Sequence, residues 1–165
     1  MVFSLRRLHD DDLHAVLKIQ EAAYPELAEA SVAIADRLQQ APQWCWGAEQ
    51  HGRLCAYLLA HPWPATAPPP WDTPLPRLPR HSTHLYIHDL ALGPQARSGG
   101  LARRLINTVL QQARHARIAE VNLVAVQSST GFWQRQGFHI MQTPATLGST
   151  LASYGDDARL MWRRV

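Results

Sequence analysis

In the run Leu85–Ala116, LYIHDLALGPQARSGGLARRLINTVLQQARHA, a strand gives way to a turn, a glycine-containing loop and then a helix. Leu85–Leu92 is apolar and β-compatible, interrupted only by His88 and Asp89. Gly93-Pro94 is a turn signal. Beyond it, apolar residues recur at helical spacing. Leu101, Leu105 and Val109 define one side, and Ile106 and Leu110 widen the stripe. A helix start leaves backbone N–H groups unpaired and carries partial positive charge. Gly99-Gly100 lets an anion come close to that backbone, and Arg97 adds a cation whose fork suits phosphate. Together these features predict a cradle for a pyrophosphate.

The pattern narrows the choice of ligand. A triphosphate loop ends in Gly-Lys-Ser/Thr, so that a lysine reaches the outer phosphates. The one lysine here is Lys18, far from the loop. A dinucleotide fold needs G-x-G-x-x-G and an acidic residue about 20 positions on. Glu120 lies near that distance, but it opens a strand, and the glycine spacing differs. What remains is R-x-x-G-x-A, read as Arg97, Gly100 and Ala102. With YIHDLAL before it and SSTGFWQRQGF (Ser128–Phe138) after it, the chain resembles the GNAT superfamily of acyl-CoA-dependent N-acetyltransferases. The resemblance covers nearly the whole chain. It implies one α/β (α+β) domain over residues 1–165, with a central mixed, largely antiparallel twisted sheet of about seven strands flanked by about four helices.

Composition agrees with that class. A chain of 165 residues with 46% hydrophobic content forms one domain with a sizeable core. No apolar run reaches the roughly 18 residues of a membrane span. The N-terminal MVFSLRRLHDDDL has no apolar stretch after its basic residues, unlike a secretory signal. Cys45 and Cys55 are too few for a disulfide framework and read as buried thiols. A cytoplasmic location is expected. The net charge is +3, with arginines clustered at Arg97, Arg103, Arg104, Arg114 and Arg117. A dense basic run with interleaved aromatics is missing, so neither nucleic acid nor membrane is an expected partner. Monomer and homodimer both remain open.

Taken in order, Val2–Leu8 reads as an edge strand. Asp10-Asp11-Asp12 caps a first helix that ends near Tyr24-Pro25. Ala28–Gln40 reads as a second helix with Val32, Ile34, Ala35 and Leu38 inward. Trp44–Glu49 and Arg53–Ala60 are strands joined by a turn at Gln50-His51-Gly52. Residues 62–81 carry most of the twelve prolines and two tryptophans, Trp63 and Trp71. This insert is too proline-rich for a helix or a central strand. It is expected to be a semi-rigid flap near the acceptor site or a surface excursion pinned by its tryptophans. Val121–Val126 and His139–Gln142 are strands, Leu147–Asp157 a polar loop, and Ala158–Val165 a last strand.

The resemblance assigns chemistry to positions. Acetyl-CoA is the implied co-substrate, and no metal is implied. The strand amides of Leu90, Ala91 and Leu92 would face the pantetheine arm and the thioester oxygen, a role like an oxyanion hole. Arg97, Ser98, Gly99, Gly100, Leu101, Ala102 and Arg103 would hold the pyrophosphate, with Ser98 standing where family loops often carry glycine. Ser128, Phe132 and Trp133 belong to the second signature. A base must take a proton from the acceptor ammonium. Asp89 and His88 are the candidates, and they face opposite sides if the strand is regular.

In many relatives a tyrosine protonates the leaving thiolate. Trp133 occupies that place, and an indole N–H is no acid. Tyr154 is the substitute candidate, with Ser128 or Ser129 behind it. The asparagine expected after the preceding strand is replaced by Gln127 and Ser128. A histidine metal site does not follow, because His84 and His88 lie about 13 Å apart along one strand face. The expected acceptor is a primary amine of a small molecule or peptide. A CoA-binding sensor with weak or no turnover is the alternative, supported by Trp133.

Overall fold

The computed structural model describes residues 2–64 and 67–165; Met1 and, within the insert, Ala65 and Thr66 lie outside the described residues. Seven strands form one sheet: β1 Ser4–Arg7, β2 Trp46–Gln50, β3 Arg53–Pro62, β4 His84–Leu92, β5 Glu120–Ala125, β6 His139–Ile140 and β7 Arg159–Arg164. Among the described residues five α-helices accompany it: α1 Leu13–Ala23, α2 Ser31–Gln40, α3 Leu101–His115, α4 Thr130–Arg135 and α5 Gly148–Ala152. The strand order is β1-β2-β3-β4-β5-β7-β6. Every pairing is antiparallel except β4 with β5. That parallel pair requires a crossover, and α3 supplies it.

Local chemistry explains the elements. β2 and β3 meet through His51-Gly52, both at positive φ (51° and 72°), which gives a two-residue hairpin loop whose twist matches the strands. The stripe of α3 is buried as its spacing requires: Leu101, Leu105, Ile106, Val109, Leu110 and Ala113. It packs on one face of the sheet with Leu85, Ile87, Val121 and Leu123. The opposite face carries a smaller core, in which Val16, Ile19, Ile34 and Leu38 of α1 and α2 meet Tyr57, Leu59 and Ala91. Cys45 and Cys55 are free and buried.

Three expectations needed correction. In α2 the buried residues are Ala33, Ile34, Arg37 and Leu38, and Val32, expected inward, is 60% exposed. The helix turns Arg37 inward because the insert supplies a carbonyl for it. Leu147–Asp157 is not a plain loop, since it contains α5. β4 is not regular. Leu59 pairs with Asp89 and Ala60 with Ile87, so His88 is an extra residue, a β-bulge.

Candidate functional site

The bulge at His88 sets the geometry of the site. In a regular strand His88 and Asp89 would alternate across the sheet. The extra residue resets the alternation, and both side chains reach the α1/α2 side. The β4–β5 ladder also stops here. It runs from His84↔Glu120 to Ile87↔Leu123 and no further. β4 continues along β3 to Leu92, and β5 continues along β7 to Ala125. The two halves of the sheet therefore part just beyond Ile87.

A cavity of about 470 Å³ fills the gap. One end is lined by Leu92, Arg97, Ala102, Ser129, Phe132 and Trp133. The other is lined by Tyr24, Leu27, Glu29, Trp71 and Tyr154, with His88 and Asp89 between. The tyrosine hydroxyl of Tyr24 donates to the Leu90 carbonyl at 2.7 Å. In a strand the N–H and C=O of one residue lie on the same edge, so the Leu90 N–H also faces the gap.

At the Arg97 end, the loop enters α3 through Gly99 (φ +90°) and Gly100 (φ +72°), a left-handed entry that glycine adopts without strain. No side chain caps the helix. The first intrahelical bond runs from the Arg104 N–H to the Gly100 carbonyl, which leaves the N–H groups of Leu101, Ala102 and Arg103 free of intrahelical partners. Arg97, Ser98, Gly99, Gly100 and Arg103 are exposed, and the Leu101 side chain is buried in the core. Any contact from Leu101 is therefore through its backbone. The space beside this backbone is open, since a Cβ built at Gly99 or Gly100 would meet nothing within 4 Å.

Asp89 is the pivotal titratable group. Burial raises its carboxyl from 3.8 to about 6; the Tyr57 hydroxyl, hydrogen-bonded to it at 2.5 Å, and nearby His88 and the Leu90 N–H pull the other way. Its carboxyl is thus half-protonated near pH 6, where an exposed aspartate is almost wholly ionised. His88 is held differently. Its Nε2 lies 2.6 Å from Glu29 Oε1, and the two side chains are only 1% and 4% exposed. Its Nδ1 is buried without a partner. Burial works against the Glu29 charge, but His88 and Arg37 outweigh it and hold the carboxyl below its usual range. The second Glu29 oxygen accepts the Asp72 N–H at 3.0 Å.

The remaining sequence candidates divide. Phe132 and Trp133 line the cavity, with ring centroids 5.1 Å apart and edge-to-face. Ser128 stands outside the lining. Its N–H and hydroxyl both contact Asp157 Oδ2, at 2.7 and 3.2 Å, and the cavity is met by Ser129 instead. Tyr154 reaches the wall, but its hydroxyl donates to the Pro69 carbonyl at 2.5 Å. Burial raises it to about 12, against a hydrogen bond from Tyr86 that lowers it. Sequence reading missed Tyr24, Tyr57 and Glu29. Each is remote in sequence from β4, and no spacing linked any of them to Asp89 or His88.

A model of the acetyltransferase (GNAT) family matches residues 10–138. The chain belongs to the GNAT acetyltransferase family. No curated protein matches it at a significant level. Solved structures match the fold across the whole chain. Ard1 from Thermoplasma volcanium is 18% identical, with 100% of this chain and 99% of that one covered, at TM-score 0.76. The loading GNATL domain of CurA from Lyngbya majuscula is 15% identical, with 99% and 98% covered, at TM-score 0.80. The PaiA N-acetyltransferase from Thermoplasma acidophilum, in complex with coenzyme A, is 11% identical over 100% of both chains, at TM-score 0.72. This family fold has the mixed, mostly antiparallel sheet described above. No helix among the described residues is long and apolar enough to cross a membrane.

Proposed function

We propose that the chain is an N-acetyltransferase, one domain over residues 1–165. It moves an acetyl or other short acyl group from acetyl-CoA to a primary amine by direct attack in a ternary complex. The observation that carries this reading is the cavity at the parting of β4 and β5, with a buried carboxyl at its middle and a phosphate-ready helix start at one end. The neighbour solved with coenzyme A supports the same ligand here.

Acetyl-CoA supplies the acyl group and a thiol leaving group. The chain's own residues do the rest. The N–H groups of Leu101, Ala102 and Arg103, with Arg97 beside them, bind the pyrophosphate oxygens. The Leu90 and Leu92 edge of β4 orients the thioester, and a fixed amide there stabilises the charge that develops on its oxygen. Asp89 takes a proton from the acceptor ammonium, and the neutral amine so formed attacks the thioester carbon, forming the C–N bond as the C–S bond breaks and the thiolate leaves. A carboxyl raised toward neutrality is a better base than an ordinary aspartate and is still mostly ionised at pH 7.5. His88, its Nε2 engaged by Glu29, acts as a positioning residue. The Tyr154 hydroxyl is anchored on Pro69, so the thiolate leaves without that acid.

The test is thiol release from acetyl-CoA over a panel of amines, amino acids and short peptides, beside a thermal-shift titration with acetyl-CoA. Stabilisation with thiol release for one amine class supports the enzyme. Stabilisation without release on the whole panel favours a CoA-binding module, consistent with Trp133 in the tyrosine position. No stabilisation overturns the CoA assignment.

A further inference from the structure

The proline-rich insert is fastened at the acceptor end of the cavity by three separate attachments. Trp71 lines the cavity and Asp72 follows it at φ +54°, a left-handed conformation uncommon for a non-glycine residue. A reciprocal clasp holds that turn. The Asp72 N–H donates to Glu29 Oε2 at 3.0 Å, and Asp72 Oδ1 accepts the Ala30 N–H at 2.6 Å. The second attachment is α2. The Leu75 N–H donates to Asp36 at 2.7 Å, Arg37 donates to the Thr73 carbonyl at 2.5 Å, and Gln40 bonds the Leu75 carbonyl and the Leu78 N–H at 3.0 and 3.2 Å. The third is the Tyr154 hydroxyl on Pro69. Residues 69–78 of the insert therefore wall the acceptor end, and they join the α1–α2 connection to the segment before β7.

The chemistry of the enclosed end is specific. Glu29 there is already paired with His88 and Asp72, whereas Asp89 is bonded by the neutral Tyr57 hydroxyl; Arg97, the arginine on the described cavity lining, sits at the far end by α3. A cation is drawn inward. The other surfaces are the rings of Trp71 and Tyr24 and the side chain of Leu27. Such rings favour an aromatic neighbour at their edge or offset from their face. A volume of about 470 Å³ is shared with the acyl donor's arm, so the acceptor portion is compact.

Resting on the function proposed above, we infer that the acceptor is a compact primary arylalkylamine, its ammonium beside Asp89 and its ring against Trp71, and that the insert is what selects it. The Glu29 carboxylate serves the wall and the positioning residue together, since one oxygen holds Asp72 and the other holds His88.

The experiment compares phenethylamine, butylamine, spermidine and an alanine-initiated peptide in the thiol-release assay, using the full chain and Trp71→Ala. It adds calorimetric titration of phenethylamine into protein loaded with CoA. The expected result is a kcat/KM for phenethylamine at least tenfold above the other three. Trp71→Ala removes that preference through a roughly tenfold rise in KM with kcat within about threefold, the scale of a lost aromatic contact. If Trp71→Ala melts early, Leu27→Trp fills the same space from the other wall and is expected to shift preference to butylamine. Preference for the peptide or spermidine, or phenethylamine kinetics untouched by both variants, overturns the inference while leaving acetyl transfer standing. Phenethylamine binding weakened by Trp71→Ala, with no thiol release from any amine, supports the pocket and overturns the transfer reading instead.

Discussion

Replacing Asp89 by asparagine should make the protein more stable and less active, and the gain should depend on pH. The asparagine oxygen still accepts from Tyr57, so the exchange isolates the charge. The folded carboxyl titrates near 6, against 3.8 for an unperturbed aspartate. A group with a raised folded value binds its proton more tightly in the folded state, so stability falls as pH rises through the interval between the two values. Linkage puts the penalty of the ionised wild-type side chain at about 1 kcal/mol at pH 4.5 and about 3 kcal/mol at pH 7.5. Asp89→Asn removes it. The advantage of the variant over wild type should therefore grow by about 2 kcal/mol between those two pH values, or roughly 4–8 °C in melting temperature for a chain of this size. Thermal melts of both proteins at pH 4.5 and 7.5 read this directly. Thiol release at pH 7.5 should drop by about 100-fold or more, the usual worth of a positioned base. A melting difference that is the same at both pH values would refute the raised carboxyl, and full activity in the variant would remove Asp89 from the chemistry.

Further outcomes follow from the same geometry. Tyr57→Phe removes a hydrogen bond that lowers the Asp89 carboxyl, so the acid limb of the kcat/KM profile should move to higher pH; a limb that stays in place would mean another group titrates there. Gly100→Ala places a Cβ in open space but at φ +72°; it should cost about 1 kcal/mol of stability and reduce the thermal stabilisation by acetyl-CoA, read in the same titration. Tyr154→Phe loses the hydrogen bond to Pro69 and the one accepted from Tyr86, together worth about 1–3 kcal/mol. It should leave the alkaline limb of kcat unchanged, whereas loss of that limb would restore Tyr154 as an acid.

The sequence determined the strands, the crossover helix and the anion-ready loop, because these depend on short-range pattern. Apolar spacing fixed the buried face of α3. The glycines predicted at its entry hold the positive φ that the chain needs there. The same local logic placed Asp89 and His88 on the central strand. Tertiary structure decided what those two residues do. A single extra residue at His88 turned both side chains to one face, and no spacing in β4 announces a bulge that is defined by its pairing with Leu59 and Ala60. The partners that set the charge of the site, Glu29, Tyr57 and Tyr24, arrive from other elements, and burial supplies the shift that sequence cannot express. In α2 the apolar residue Val32 lies outside while Arg37 lies inside, the reverse of a hydropathy reading. The insert provides the carbonyl of Thr73 that Arg37 needs, and that contact exists only once distant segments have packed.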